Sequence, residues 1–169
     1  MPKLEDGGKF TEVYDRYKTG VYYFCQRMIA DSDTAKDIVQ EVFIKFFENH
    51  TRLDGEIQIK VWLFKSARNK CLNYVRDRGK ISSIGDVGDE IPDIATADSD
   101  SIDSGEITAK LFNNLPDDYK EILVMREWSE LSYEEIAKAL DITISSVKSK
   151  LFKARKKASE IYKKFYGEK

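Results

Sequence analysis

The chain has 169 residues with 28 basic and 30 acidic side chains, a formal net charge of −2. Hydrophobic residues make up 41% and aromatics 12%, enough to build a core, so wholesale disorder is excluded. No apolar run approaches the ~18–20 residues a membrane helix needs, so direct membrane insertion is not expected. The length fits one ordinary domain or two small ones. The opening segment MPKLEDGGKF has no apolar stretch after its lysine, and Cys25 and Cys71 make neither a disulfide framework nor a zinc site. A cytoplasmic location without a metal is the expectation.

The near-neutral total hides segregation. Residues 1–59 carry a net −3, and residues 60–80 a net +6 from Lys60, Lys65, Arg68, Lys70, Arg76, Arg78 and Lys80 against Asp77. Residues 81–109 hold eight acids and no base, residues 110–142 come to −4, and residues 143–169 to +7. Two basic segments flanking an acidic one point to two separate contacts with a polyanion.

Helical periodicity dominates, so an all-α fold is expected. Phe10, Val13, Tyr14, Tyr17, Val21, Phe24, Cys25 and Met28 recur at three- and four-residue spacing. Ala35, Ile38, Val39, Val42, Phe43, Phe46 and Phe47 repeat the pattern, with Asp33 or Thr34 as the expected cap. Asp54-Gly55 signals a turn, and a third helix follows with Leu63, Ala67, Cys71 and Tyr74 on its buried stripe. These three helices make a first domain within residues 1–78. Residues 79–103 lose all periodicity and read as a flexible acidic linker. A coil of that length spans ~25–30 Å and can extend past one DNA turn of ~34 Å.

A second helical domain fills residues 104–169. A short helix stops near Leu115-Pro116, and DDYKEILVMREW makes another, with Tyr119, Ile122, Leu123 and Met125 or Arg126 setting its face. The sharpest motif is LSYEEIAKALDITISSVKSKLFKARKKA. Ser132 and Glu135 form a capping box, and Ile136, Ala137 and Leu140 point inward. The turn falls at about Leu140–Thr143, with Thr143 as the cap of the next helix and Asp141 where such turns usually place glycine. That position should tolerate about 1 kcal/mol of strain. Val147, Leu151 and Ala154 then face inward. Ser145, Ser146, Lys148, Ser149, Phe152, Lys153 and Arg155 face outward. Hydroxyls at a helix start, followed by Lys and Arg, suit entry into the DNA major groove.

With these segments in place the chain resembles a bacterial RNA polymerase sigma factor of the extracytoplasmic-function group. DTAKDIVQEVF, VWLFKSARNKCLNYVR, LPDDYKEILVMREWSELSYEEIAKAL and SSVKSKLFKARKK are similar to four ordered motifs of that group. The resemblance covers nearly everything except the linker and the extreme ends. It implies that Asp37, Gln40, Glu41 and Phe43 lie on the helix that docks on the clamp coiled coil of core RNA polymerase, with Phe43 also a core candidate. The polymerase flap is the matching partner for the second domain. Asp54 and Gly55 fall in the loop that captures a flipped base of the minus-10 element. Trp62, Lys65 and Asn69 match third-helix positions facing promoter DNA, and Arg76 and Arg78 fit phosphate contact.

In the second domain Lys148, Ser149, Phe152 and Lys153 match positions reading the minus-35 element. Arg126, Tyr133, Glu134 and Ser146 match backbone-contacting positions. Lys150 stands where the family often has Arg, which weakens a bidentate contact there, and Arg155 completes the set. The resemblance also implies an anti-sigma partner, for which Phe46, Phe47, Trp128 and Tyr133 are candidates if they are not core. The linker would thread the polymerase cleft, and in the free protein its acids would screen the basic segments. No heptad or dimerisation element is present, so a monomer is expected.

Two other functions compete with this reading. An autonomous helix-turn-helix regulator would normally dimerise on a two-fold site, and it leaves the first domain without a purpose. An enzyme lacks support: His50 is the only histidine, expected on the surface at a helix end, and no Gly-rich phosphate loop is present. No cofactor or small-molecule substrate is expected.

Overall fold

A computed structural model describes residues 4–82 and 102–167, with side chains placed for 7–78 and 105–167. The linker residues between 82 and 102, and the screening ascribed to them, lie outside the described residues. Among the described residues all regular structure is helical.

The first three helices, α1 (Leu4–Ile29), α2 (Ser32–Asn49) and α3 (Glu56–Ser82), pack against one another. Their apolar stripes meet in a core where Val21, Phe24, Cys25, Val42, Phe46, Leu63, Phe64, Ala67 and Cys71 are almost wholly excluded from solvent. The Phe24 ring meets Phe64 edge to face at 5.9 Å. The α2 cap is Asp31, two or three residues earlier than the sequence indicates: its carboxylate accepts from the Asp33 and Thr34 N–H groups, so neither of those residues is the cap. Tyr17 ties α1 to α3 by donating to Glu56 at 3.0 Å. Burial, reinforced by that carboxylate, pushes its phenol up to about 12.

His50 is not on the surface as expected. A short 3₁₀ turn (His50–Arg52) follows α2 and folds the ring inward, leaving it 5% exposed. Its Nδ1 lies 2.5 Å from the Phe47 carbonyl, and the ring stacks on Phe47 at 5.7 Å.

The later helices are α4 (Ile102–Asn113), α5 (Asp117–Leu123), α6 (Tyr133–Leu140) and α7 (Ile144–Tyr166). A π-helical turn (Val124–Trp128) continues α5 and is closed by Ser129 N–H donating to Val124 O at 3.0 Å. The wider turn shifts the register, so Val124 and Met125 are both fully buried and Arg126 swings to the side. A uniform 3.6-residue period cannot express that shift, which is why the sequence left Met125 and Arg126 as alternatives. The core here is built on Phe112, Ile122, Met125, Leu131, Ile136, Val147, Leu151 and Ala154.

The two helical groups touch. α3 packs along α6, and α1 lies on α5 and the π turn. Arg27 of α1 sits over the Phe112 ring of α4 at 5.8 Å.

Asp141 ends α6 in the left-handed conformation, φ 59° and ψ 43°, a geometry that costs a residue with a Cβ about 1–2 kcal/mol. Asp141→Gly should therefore raise the melting temperature by about 2–8 °C, and Asp141→Val should lower it. Thermal unfolding followed by circular dichroism checks both signs.

Candidate nucleic-acid interface

The tightest local design is the turn between α6 and α7. Ser132 accepts from Glu135 N–H at 3.1 Å while Glu135 accepts from Ser132 N–H at 2.8 Å, a reciprocal capping box. Leaving α6, Ile142 N–H reaches back to Ala137 O at 3.0 Å. Thr143 then caps α7, accepting from Ser146 N–H at 3.0 Å. With Val147, Leu151 and Ala154 buried beneath, α7 presents Ser145, Ser146, Lys148, Ser149, Phe152 and Lys153 outward. Phe152 is 70% exposed, an apolar ring presented to solvent. This is a preorganised face of hydroxyls, ammonium groups and one aromatic at a helix start.

The other candidates in this half are placed differently. Arg126 donates to Leu131 O at 3.0 Å and lies 4.6 Å over the Tyr133 ring, so these two residues brace the entry into α6. Glu134 is exposed and pairs with Lys138 at 3.3 Å. Lys150 is half-buried on the inner side of α7, 3.9 Å from Asp118. Arg155 is exposed but held by Glu127 through Nε at 3.2 Å and Nη2 at 2.8 Å. Sequence spacing could not show these last two pairings.

In the first half Asp54 and Gly55 form an exposed turn, Gly55 at φ +85° and Asp54 N–H donating to Gln58 Oε1 at 2.9 Å. Trp62 is half-buried with its ring 6.0 Å from Phe46. Asn69, Arg76 and Arg78 are exposed along α3. Lys65 reaches away from them, to Asp141 at 3.6 Å. On α2, Asp37, Gln40 and Glu41 are exposed on the outer face, Glu41 pairing with Lys70 at 2.9 Å. Phe43 is on the opposite side, 2% exposed and edge-on to Tyr14 at 5.0 Å, so it supports this face from within the core. Phe46 is likewise core, Phe47 and Tyr133 are half-buried, and Trp128 is 47% exposed. Beside Gln40 a groove of about 330 Å³ runs between α1 and α2, lined by Tyr14, Lys18, Tyr22, Tyr23, Lys36 and Val39.

Among the described residues no cluster of His, Cys, Asp or Glu could hold a metal ion. Cys25 and Cys71 are buried together, and the hydrogen bond between the Cys25 thiol and Cys71, followed by burial, raises Cys25 well above the ordinary thiol range. No described helix is long and apolar enough to cross a membrane.

Comparison with known proteins fits this geometry. Sigma-70 region 2 matches residues 13–81 and Sigma-70 region 4 matches residues 106–157. The chain is 31% identical to the ECF RNA polymerase sigma factor SigM of Bacillus subtilis over 89% of its own length and 93% of that protein's. It is 30% identical to the ECF RNA polymerase sigma-E factor of Haemophilus influenzae, over 92% and 89% respectively. The chain belongs to the extracytoplasmic-function sigma factors of the sigma-70 family. Its fold matches that of the sigma factor RpoE of Bartonella quintana, solved with the anti-sigma factor NepR, at a TM-score of 0.76 and 24% identity, over 92% of this chain and 97% of that one. As a sigma factor it directs transcription initiation, and the autonomous-regulator alternative is not favoured.

Two residues that sequence reasoning passed over are Glu121 and Glu135 as partners of the first half. Glu121 is 3% exposed and takes Arg68 as a fork, Nε–Oε2 at 2.7 Å and Nη2–Oε1 at 3.2 Å. Burial raises its pKa above the usual carboxylate value, with Arg68 acting against the rise. Burial also acts upward on Glu135, but the Ser132 N–H and then Lys60 outweigh it and hold that carboxyl below its usual value. The signs oppose on acidification. The contribution of Glu121 to folding stability rises as pH falls through its raised pKa, whereas the contribution of Glu135 is present above the unfolded value and lost as pH falls through its depressed one. Carboxyl NMR titration should place Glu121 above Glu135. Arg68→Gln should move Glu121 further up, Lys60→Gln should move Glu135 up, and Ser132→Ala, which removes the cap hydroxyl and keeps the N–H, should cost about 1 kcal/mol.

Proposed function

We propose that the outer face of α2, with Asp37, Gln40 and Glu41, docks on core RNA polymerase, while α3 and the Asp54–Gly55 turn engage the minus-10 element. The outward face of α7 reads the minus-35 element through Lys148, Ser149, Phe152 and Lys153. Ser146, Tyr133 and Glu134 lie at the two helix starts, where phosphates would approach. Residues 1–78 and 104–169 are then the two recognition domains. The chain supplies recognition and leaves catalysis to the polymerase, within the cytoplasm and without a cofactor. An anti-sigma protein is the natural inhibitor, as in the solved relative.

The observation that carries this reading is the presence, in one chain, of a capped and exposed α7 face together with an exposed polar α2 face bearing Asp37, Gln40 and Glu41. A helix-turn-helix alone would explain the first and leave the second idle. Lys65, Arg76 and Arg78 act as phosphate ligands here, and Trp62 and Asn69 shape the surface between them. Lys150, Arg126 and Arg155 contribute by holding α7 and the turn in place, and by charge.

The test is a reconstituted transcription assay with core polymerase. Gln40→Ala with Glu41→Lys should weaken core binding on the order of tenfold or more while leaving the folded spectrum intact. Phe152→Ala with Lys153→Ala should leave core binding unchanged and reduce discrimination of the minus-35 sequence by about 1–3 kcal/mol. Wild-type-like transcription from both variants would contradict the assignment.

A further inference from the structure

Three cations of α3 are occupied by carboxylates that belong to the other half of the chain. Arg68 forks onto Glu121 at 2.7 and 3.2 Å, Lys60 reaches Glu135 at 3.4 Å, and Lys65 reaches Asp141 at 3.6 Å. All three acids come from the helix-turn-helix half: α5, the start of α6 and the turn after it. The fork on Glu121 is the geometry by which a guanidinium holds a carboxylate or a phosphate. From Lys60 to Lys65 to Arg68 the strip covers about 12 Å of helix. One strand of DNA offers about three or four phosphates over that axial length.

We propose that in the free chain Glu121, Glu135 and Asp141 stand in for DNA phosphates on Lys60, Lys65 and Arg68, so that packing the two halves together masks a phosphate-binding strip on α3. Opening the chain returns all three cations to the promoter-facing side. The proposal rests on α3 being the DNA-facing helix of the first domain, and it adds Lys60 and Arg68 to that surface. The strip is masked selectively. Asn69, Arg76 and Arg78 stay exposed beyond it, and the outward face of α7 is uncovered. The closed chain therefore retains weak DNA binding and lacks the phosphate grip that would make it tight. Arg27 over Phe112 at 5.8 Å adds a further contact between the same halves.

The isosteric variant Glu121→Gln/Glu135→Gln/Asp141→Asn removes the three charges. It keeps the capping box, which accepts Gln, and the left-handed position, which accepts Asn. Its comparison is Glu12→Gln/Glu48→Gln/Glu160→Gln, an equal charge change at exposed positions. Binding of the full-length free chain to a fluorescent promoter duplex is titrated across a salt series. The seam variant should gain about tenfold over the comparison, with the slope of log affinity against log salt steeper by about 2–3. A gain no larger than the comparison's would overturn the proposal.

A second readout needs no substitution. Zero-length carbodiimide treatment of the wild-type chain, followed by mass spectrometry, should join Lys60 to Glu135 in the free chain and not in the chain bound to core polymerase and promoter. Absence of that link in the free chain, or its persistence in the complex, would equally overturn the proposal. Core binding is followed separately on a native gel, so a failure to bind polymerase would count against the proposed function while the free-chain measurements still judge the seam.

Discussion

A carboxylate can sit almost fully buried at Glu121 only because Arg68, fifty-three residues earlier in the sequence, reaches it with two hydrogen bonds. Removing one partner of a buried pair strands the other's charge, typically at about 3–5 kcal/mol, while removing both can be neutral. The pair therefore selects an arrangement more than it adds stability. It fixes which face of α5 meets α3, and Lys60–Glu135 and Lys65–Asp141 follow along the same seam. Of these, Lys65–Asp141 is exposed enough to be worth little by itself.

The same seam explains how one surface can have two uses. Cations on a helix are indifferent to whether oxygen comes from a carboxylate or a phosphate, apart from geometry and charge density. The chain places three of its carboxylates where those cations lie. Long-range attraction to DNA is then modest in the closed chain. Docking on polymerase would supply the free energy that separates the halves, since a ligand shifts such an equilibrium only by its preference for one state.

Much of the local structure was legible in the sequence. The apolar stripes of α1, α2, α3 and α7, the Ser132–Glu135 box, the Thr143 cap and the left-handed Asp141 all follow from side-chain period and cap chemistry, and each appears in the structure. What escaped was of two kinds. Some features change the local count: the π turn at Val124–Trp128 moves the register, the 3₁₀ turn draws His50 inward, and Asp31 outcompetes Asp33 and Thr34 as a cap. Others join residues far apart in sequence, such as Arg68 with Glu121, Lys65 with Asp141 and Arg155 with Glu127. No one-dimensional period encodes those. The basic block at residues 60–80 was visible, but not the acids that answer it.

The most direct measurement is the distance between dyes on α2 and α7 by single-molecule energy transfer, in the free chain and in the complex with core polymerase and promoter. The account predicts a single short distance in the free chain, and in the complex a separation longer by more than one DNA turn of ~34 Å, as the two promoter elements demand. The same short distance in both states would contradict it, because the closed chain cannot offer α3 and α7 to separate stretches of DNA.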